Sequence, residues 1–225
     1  MDRLVLRWIG MCAVGLSAVG CSTTVNLKSG PSLSSLSTKP GAAKIIVAQP
    51  AALRTDKQTL GTIGRRTVVL KDNPSEFVAK EFVAALNERG VDASEAAISS
   101  ESPADIAATA QRSNADGVLT LAVQSISVES APPKNLPTAR AVVQAQLHNR
   151  QGEITQTMSA GGHVQRRINI GLFSASKSIS QLTEEAGREA VQRITQSRQF
   201  AEAMDNLTQK QETAEVQPSA EPSTP

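Results

Sequence analysis

Two arginines, Arg3 and Arg7, stand ahead of an apolar run over residues 8–19 that is interrupted only by small residues such as Gly10, Gly15 and Ser17. A helix needs about 20 consecutive apolar residues to cross the hydrocarbon core of a bilayer, and this run is roughly a dozen long. Basic residues, a short apolar stretch and small residues at its end make up a secretion signal. Residues 1–20 are therefore expected to be removed, and the fold must be built from residue 21 onward. Cys12 lies in the removed segment, which leaves Cys21 without a second cysteine and the mature chain without a disulfide framework.

Ala18-Val19-Gly20-Cys21 resembles the lipobox of bacterial lipoproteins, in which small residues precede a cysteine that receives a diacylglycerol thioether and becomes the mature N-terminus. Gly20 and Cys21 match the motif, and Ala18 stands where it usually has Leu. The resemblance implies acylation, with palmitate among the chains, at Cys21. At roughly 0.8 kcal/mol per buried methylene, three acyl chains hold a protein on a membrane permanently, whereas one chain binds marginally. In Gram-negative lipoproteins Asp directly after the lipidated cysteine retains the protein at the inner membrane. Ser22 in that place implies the outer membrane, with the protein facing the periplasm. The competing reading is an ordinary signal cut nearby, which would leave Cys21 a lone thiol.

Residues 21–42 are rich in Ser, Thr, Gly and Pro without an apolar period and are expected to form a flexible tether, with an r.m.s. span of about 25 Å. Residues 208–225 are polar and end in a Pro-containing stretch, expected to be a disordered tail. Between them, residues 43–207 suffice for one domain with a single sizeable core. With four Phe, one Trp inside the signal and no Tyr, that core must come from Val, Ile, Leu and Ala. A formal charge of +2 over the whole chain suggests neither nucleic acid nor an anionic surface as partner. Arg65-Arg66 and Arg166-Arg167 are local exceptions, read as solvated stretches.

Residues 43–48 and 67–70 are short β-branched runs and read as strands. Asn73-Pro74-Ser75-Glu76 places a capping side chain, a proline at the first helical position and a Glu three residues past the cap. Phe77, Val78, Phe82, Ala85 and Leu86 follow at helical spacing, and Gly90 closes the helix. Ser102-Pro103-Ala104-Asp105 repeats the signal for a shorter helix to about Ser113. Apolar alternation at Leu119, Leu121 and Val123 changes phase to Ile126 and Val128, which predicts a long strand with a bulge near Gln124-Ser125. A hairpin comes next over residues 139–162, turning at Gln151-Gly152. A last helix from about Ser176 presents Ile179, Leu182, Ala186, Ala190 and Ile194, with a continuation toward Met204. The expected fold is α+β: one small domain, a mixed or antiparallel sheet packed with about three helices.

This order resembles the YajG-like group of small Gram-negative outer-membrane lipoproteins, on residues 74–91 (PSEFVAKEFVAALNERGV), 140–159 (RAVVQAQLHNRQGEITQTMS) and the helical stretch 174–204. The role of that group is poorly defined. Auxiliary lipoproteins of envelope lipid transporters and lipoprotein activators of cell-wall synthases share the general layout, and function does not follow from layout.

No catalytic constellation is legible. The hairpin register sets His148 opposite a residue near Thr155 and His163 opposite one near Arg140, so the two histidines do not meet and no metal site is expected. No Gly-x-Ser-x-Gly elbow is present. Glu184-Glu185 and Glu76/Glu81 fall on predicted helices and read as solvated faces. Gly61-Thr62-Ile63-Gly64 before Arg65-Arg66 lacks the Lys-Ser/Thr ending of a phosphate loop and reads as a flexible loop. The expectation is a non-enzymatic envelope adaptor without cofactor, metal or nucleic acid, held on the membrane through Cys21 and binding another envelope protein. The alternative is a lipid-binding auxiliary of a lipid transport system, with a cavity lined by Val143, Leu147, Ile179 and Leu182.

Overall fold

The computed structural model describes residues 22–28, 43–50, 58–64, 66–130, 136–167 and 175–215. The strands are β1 (Ser22–Val25), β2 (Lys44–Pro50), β3 (Gln58–Ile63), β4 (Arg66–Leu70), β5 (Asp92–Ile98), β6 (Gly117–Ser130), β7 (Thr138–Asn149) and β8 (Ile154–Gln165). The helices are α1 (Pro74–Glu88), α2 (Pro103–Arg112), α3 (Ala175–Thr195) and α4 (Arg198–Glu215). Residues 1–20, expected to be a signal, and Cys21 lie outside the described residues.

Both early helices start where their sequence signals stand. The Asn73 side chain accepts from the Ser75 N–H at 2.9 Å, and the Ser102 hydroxyl accepts from the Asp105 N–H at 3.2 Å. Each cap satisfies one of the N–H groups that a helix start leaves without an internal partner. Gly90, at φ +80°, takes the left-handed turn that ends α1.

The 14 residues of β6 organise the sheet. One edge of β6 pairs antiparallel with β7. The other edge is shared, with Gly117 to Thr120 parallel to β2 and Val128 to Ser130 parallel to β3. Two smaller groups of strands, β2–β5 and β3–β4–β1, thus branch from one strand, and β8 extends the sheet beyond β7. The register of β6 against β7 slips between Val123 and Ser125, the bulge expected from the phase change. An inserted residue resets the two-residue alternation, so Leu119, Leu121 and Val123 and then Ile126 and Val128 all face the same side.

That side is covered by α1, α3 and α4. Phe82, Leu86, Leu119, Leu147, Ile194 and Leu207 belong to one core cluster, and Val25, Val68, Val128, Ile179 and Leu182 to another. On the opposite face α2 buries Ile106 and Ala110 against Ile46, Ala48 and Val118. The central strand β2 is covered on both faces, which explains its unbroken apolar run. Helix α3 comes close because β7 offers Ala139, Ala141 and Ala145, and because Gly162 has no Cβ. A Cβ there would sit 1.8 Å from the Ala186 carbonyl oxygen. Gly187 in turn admits the Phe77 ring, which a Cβ would meet at 2.7 Å.

The α+β expectation holds, with one sheet and four helices among the described residues. Four local expectations do not. Ser22–Val25, read as tether, pairs in parallel with β4 as the strand β1. Thr23, Thr24 and Val25 are β-branched, and Val25 is fully buried, so a sequence that looks like linker also fits a pleated edge. Residues 29–42 lie outside the described residues. Tail residues 208–215 continue α4, because Phe200, Met204 and Leu207 nucleate a helix that good helix formers then propagate. The Gly61-to-Gly64 stretch, read as loop, is the end of β3 and its turn. Gly61 lies at φ +143° against β6, where a Cβ would fall 2.2 Å from the Val128 carbonyl oxygen. The strand β5 had no sequence reading. The last helix is two helices, broken after Thr195.

Candidate anchor site and the surfaces around it

Ser22, the residue expected to direct sorting, is exposed at the first position of β1, opposite Thr67. The chain after it is fixed by several bonds. Lys71 N–H donates to the Val25 carbonyl at 3.1 Å, Leu27 N–H donates to the Asp72 carboxylate at 2.7 Å, and Lys28 N–H donates to Glu184 at 2.8 Å. The Ser176 hydroxyl of α3 donates to the Thr24 carbonyl. Covalent geometry puts the Cα of residue 21 about 3.8 Å from that of Ser22. An acyl group on Cys21 would thus attach at the rim of the sheet with only one peptide link between it and β1. The expected leash is absent over residues 22–28.

The histidines are apart, as the hairpin register predicts. His163 pairs with Arg140, and His148 pairs with Ile154 across a register slip. His148 is buried, 4% exposed. Its Nδ1 meets the Gly152 carbonyl at 3.3 Å and its Nε2 meets the Thr120 hydroxyl at 3.1 Å. A carbonyl only accepts, so Nδ1 carries the proton and Nε2 accepts from Thr120. Burial pushes the His148 pKa below its ordinary value, opposed by the Gly152 carbonyl. This is a neutral core histidine. His163 is exposed, and its backbone N–H donates to Glu189 at 2.8 Å. Among the described residues no group of three His, Cys, Asp or Glu side chains is placed to hold a metal ion.

The acidic pairs do more than face solvent. Arg188 of α3 lies 3.1 Å from Glu81 of α1 and 3.7 Å from Glu184, and its guanidinium sits 5.9 Å from the centre of the Phe77 ring. Glu184 is buried and also receives Lys28, so this network ties α1, α3 and the segment after β1 together. Glu184 lies one helical turn before Arg188, but Phe77, Glu81 and Lys28 are distant from them along the chain, so sequence reading missed the network. Glu185 pairs with Arg166 at 3.1 Å and Glu76 with Lys80 at 2.6 Å, both on exposed faces. Glu81 and Glu184, from separate helices, meet on the same guanidinium and are bridged by it.

Val143, Leu147 and Leu182 are fully buried and Ile179 is 2% exposed, divided between two packed clusters. These four side chains pack into the core and do not line a cavity. A surface groove of about 750 Å³ lies elsewhere, between the start of β8 and α4, bordered by Asn149, Ile154, Gln156, Gln199, Ala203 and Leu207. Ile154 in that border is 56% exposed. Among the described residues no helix is long and apolar enough to cross a membrane.

No family model and no curated protein matches the chain. Among solved structures it is similar to a minor lipoprotein of Acinetobacter baumannii at 12% identity and a TM-score of 0.39, covering 74% of this chain and 92% of that one. It is also similar to lipoprotein GNA1162 of Neisseria meningitidis at 15% identity and 0.36, covering 62% and 97%. A third is the protein CT253 of Chlamydia trachomatis, at 11% identity and 0.43, covering 74% and 96%. Bacterial lipoproteins thus stand among its structural neighbours.

Proposed function

We propose that the chain is a lipid-anchored lipoprotein of YajG-like type, held by acylated Cys21 on the periplasmic side of the outer membrane, where it acts as a non-enzymatic adaptor for another envelope protein. The observation that carries this reading is the position of Cys21, directly ahead of β1 and at the end of a secretion-type signal. An anchor there leaves the opposite end of the sheet, with the β7–β8 turn and the groove beside α4, as the part that reaches into the periplasm. The 12 residues of β7 span roughly 40 Å. A lipid carrier is less well supported, since Val143, Leu147, Ile179 and Leu182 are closed into the core.

The test is photo-crosslinking in living cells from a reactive residue at Ile154, in the groove, and at Gln124, on the open face of the sheet. One envelope protein captured repeatedly from position 154 and not from 124 supports the adaptor. Crosslinks to lipid alone would favour the carrier, and none from either position would remove the adaptor reading.

A further inference from the structure

The sheet register brings together charged residues that the sequence keeps far apart. β1 begins at Ser22 opposite Thr67, next to Arg66, and Arg66 lies opposite Ile63 at the end of β3. Ile63 pairs with Ser130 at the end of β6, and Glu129 pairs with Thr138 at the start of β7. Thr138 pairs with Gln165 at the end of β8, and the N–H of the next residue, Arg166, donates to the Pro137 carbonyl at 3.4 Å. One rim of the molecule therefore holds Ser22, Arg66, Arg166 and Arg167, and Lys177 in the first turn of α3 joins it through the neighbouring Ser176–Thr24 bond. Among the described residues the carboxylates on this rim are Glu129 and Glu185, the latter already paired with Arg166, while Glu189 lies further in at the His163 N–H and is paired with Arg193. Arg66 and Arg167 have no ion-pair partner among the described residues. Four cations against two carboxylates leave the rim basic, although the whole chain is close to neutral.

We propose that this rim is a headgroup-binding face, on which Arg66, Arg166 and Arg167 take the phosphates of anionic phospholipids in the leaflet that holds the Cys21 acyl chains. The inference rests on the anchoring reading above. Guanidinium forks match phosphate oxygens in two-point hydrogen bonds. An anchor one residue from Ser22 keeps the rim within a Debye length of the surface, roughly 8–10 Å at physiological salt, where such attraction is not screened away. Tethering also turns each headgroup contact into an intramolecular event at high effective concentration. Lipid and basic face together hold the sheet upright, with the β7–β8 turn pointing away from the membrane.

The experiment uses the full chain purified from membranes and placed in phosphatidylcholine vesicles with or without phosphatidylglycerol. Acylated Cys21 leaves no other thiol, so Ser130→Cys on the rim and Gln151→Cys at the far turn each carry a nitroxide, read against a relaxing agent attached to lipid headgroups. The Ser130 label should relax several-fold more in phosphatidylglycerol vesicles than in phosphatidylcholine alone, and the Gln151 label should not respond. R66Q with R167Q, which spares the Arg166–Glu185 pair, should bring the Ser130 signal to the phosphatidylcholine level, and R66Q/R166Q/R167Q should do so as well. Equal Ser130 signals in the two vesicles, or a signal unchanged in both variants while they melt like wild type, overturn the proposal. Intact mass on the same samples reads the anchor separately. If the acyl mass is missing, anchoring fails, and co-sedimentation of the unacylated chain with phosphatidylglycerol vesicles decides the rim: sedimentation upholds it and a soluble chain overturns it.

Discussion

His148 illustrates how a residue with catalytic chemistry becomes a structural one. Buried between Thr120 and the Gly152 carbonyl, it resists protonation, so its pKa in the fold lies below 6.5. In the window between that depressed value and 6.5 the unfolded chain binds a proton that the native chain refuses. Its contribution to stability is therefore complete above about pH 6.5 and is lost as pH falls through the window. Urea midpoints should drop from about pH 7 to about pH 5, and His148→Gln should flatten that slope. Packing sets the other residue-scale expectations. Gly162→Ala forces α3 away from β8 and should cost on the order of 1–3 kcal/mol, while Phe82→Ala, at a fully buried site, should cost about 3–5 kcal/mol in denaturant unfolding. That His148 and His163 stay apart was legible from one turn position, because hairpin register is set by it. The bonds that hold His148 were not, since Thr120 comes from another strand.

Among the elements, those with local signals were legible and those defined by distant partners were not. The α1 start is written in Asn73-Pro74, and Asn73→Ala should lower stability by about 1 kcal/mol. The β6 bulge is visible because the apolar phase changes within one strand. By contrast, β3 is interrupted by Gly61, required by the close approach of Val128, and β5 reads as polar because Ala93 and Ile98 are its only buried residues. β1 is the clearest case, since Ser22-Thr23-Thr24-Val25 is equally suited to a linker until β4 and α3 supply its partners. Val25→Asp would bury an unpaired charge and should release this strand. Hydrogen exchange at Leu27 and Lys28 should then lose its protection while β6 and β7 keep theirs. Unchanged protection would mean that β1 does not depend on Val25.

For the whole molecule, the latched β1 changes what a lipid on Cys21 would do. A free tether would leave the domain drifting above the membrane, whereas attachment one residue from the sheet rim fixes which end faces the bilayer. This consequence was not legible in the sequence, where the tether reading hid it. The orientation at the membrane and the outward-facing groove both depend on acylation of Cys21. Intact mass of the full-length wild type and of Cys21→Ala, expressed in a Gram-negative host and separated by membrane density, tests this most directly. Wild type should begin at residue 21, carry the acyl mass and band with outer membranes, and Cys21→Ala should carry none. An unmodified wild-type chain recovered soluble from the periplasm would contradict the anchor.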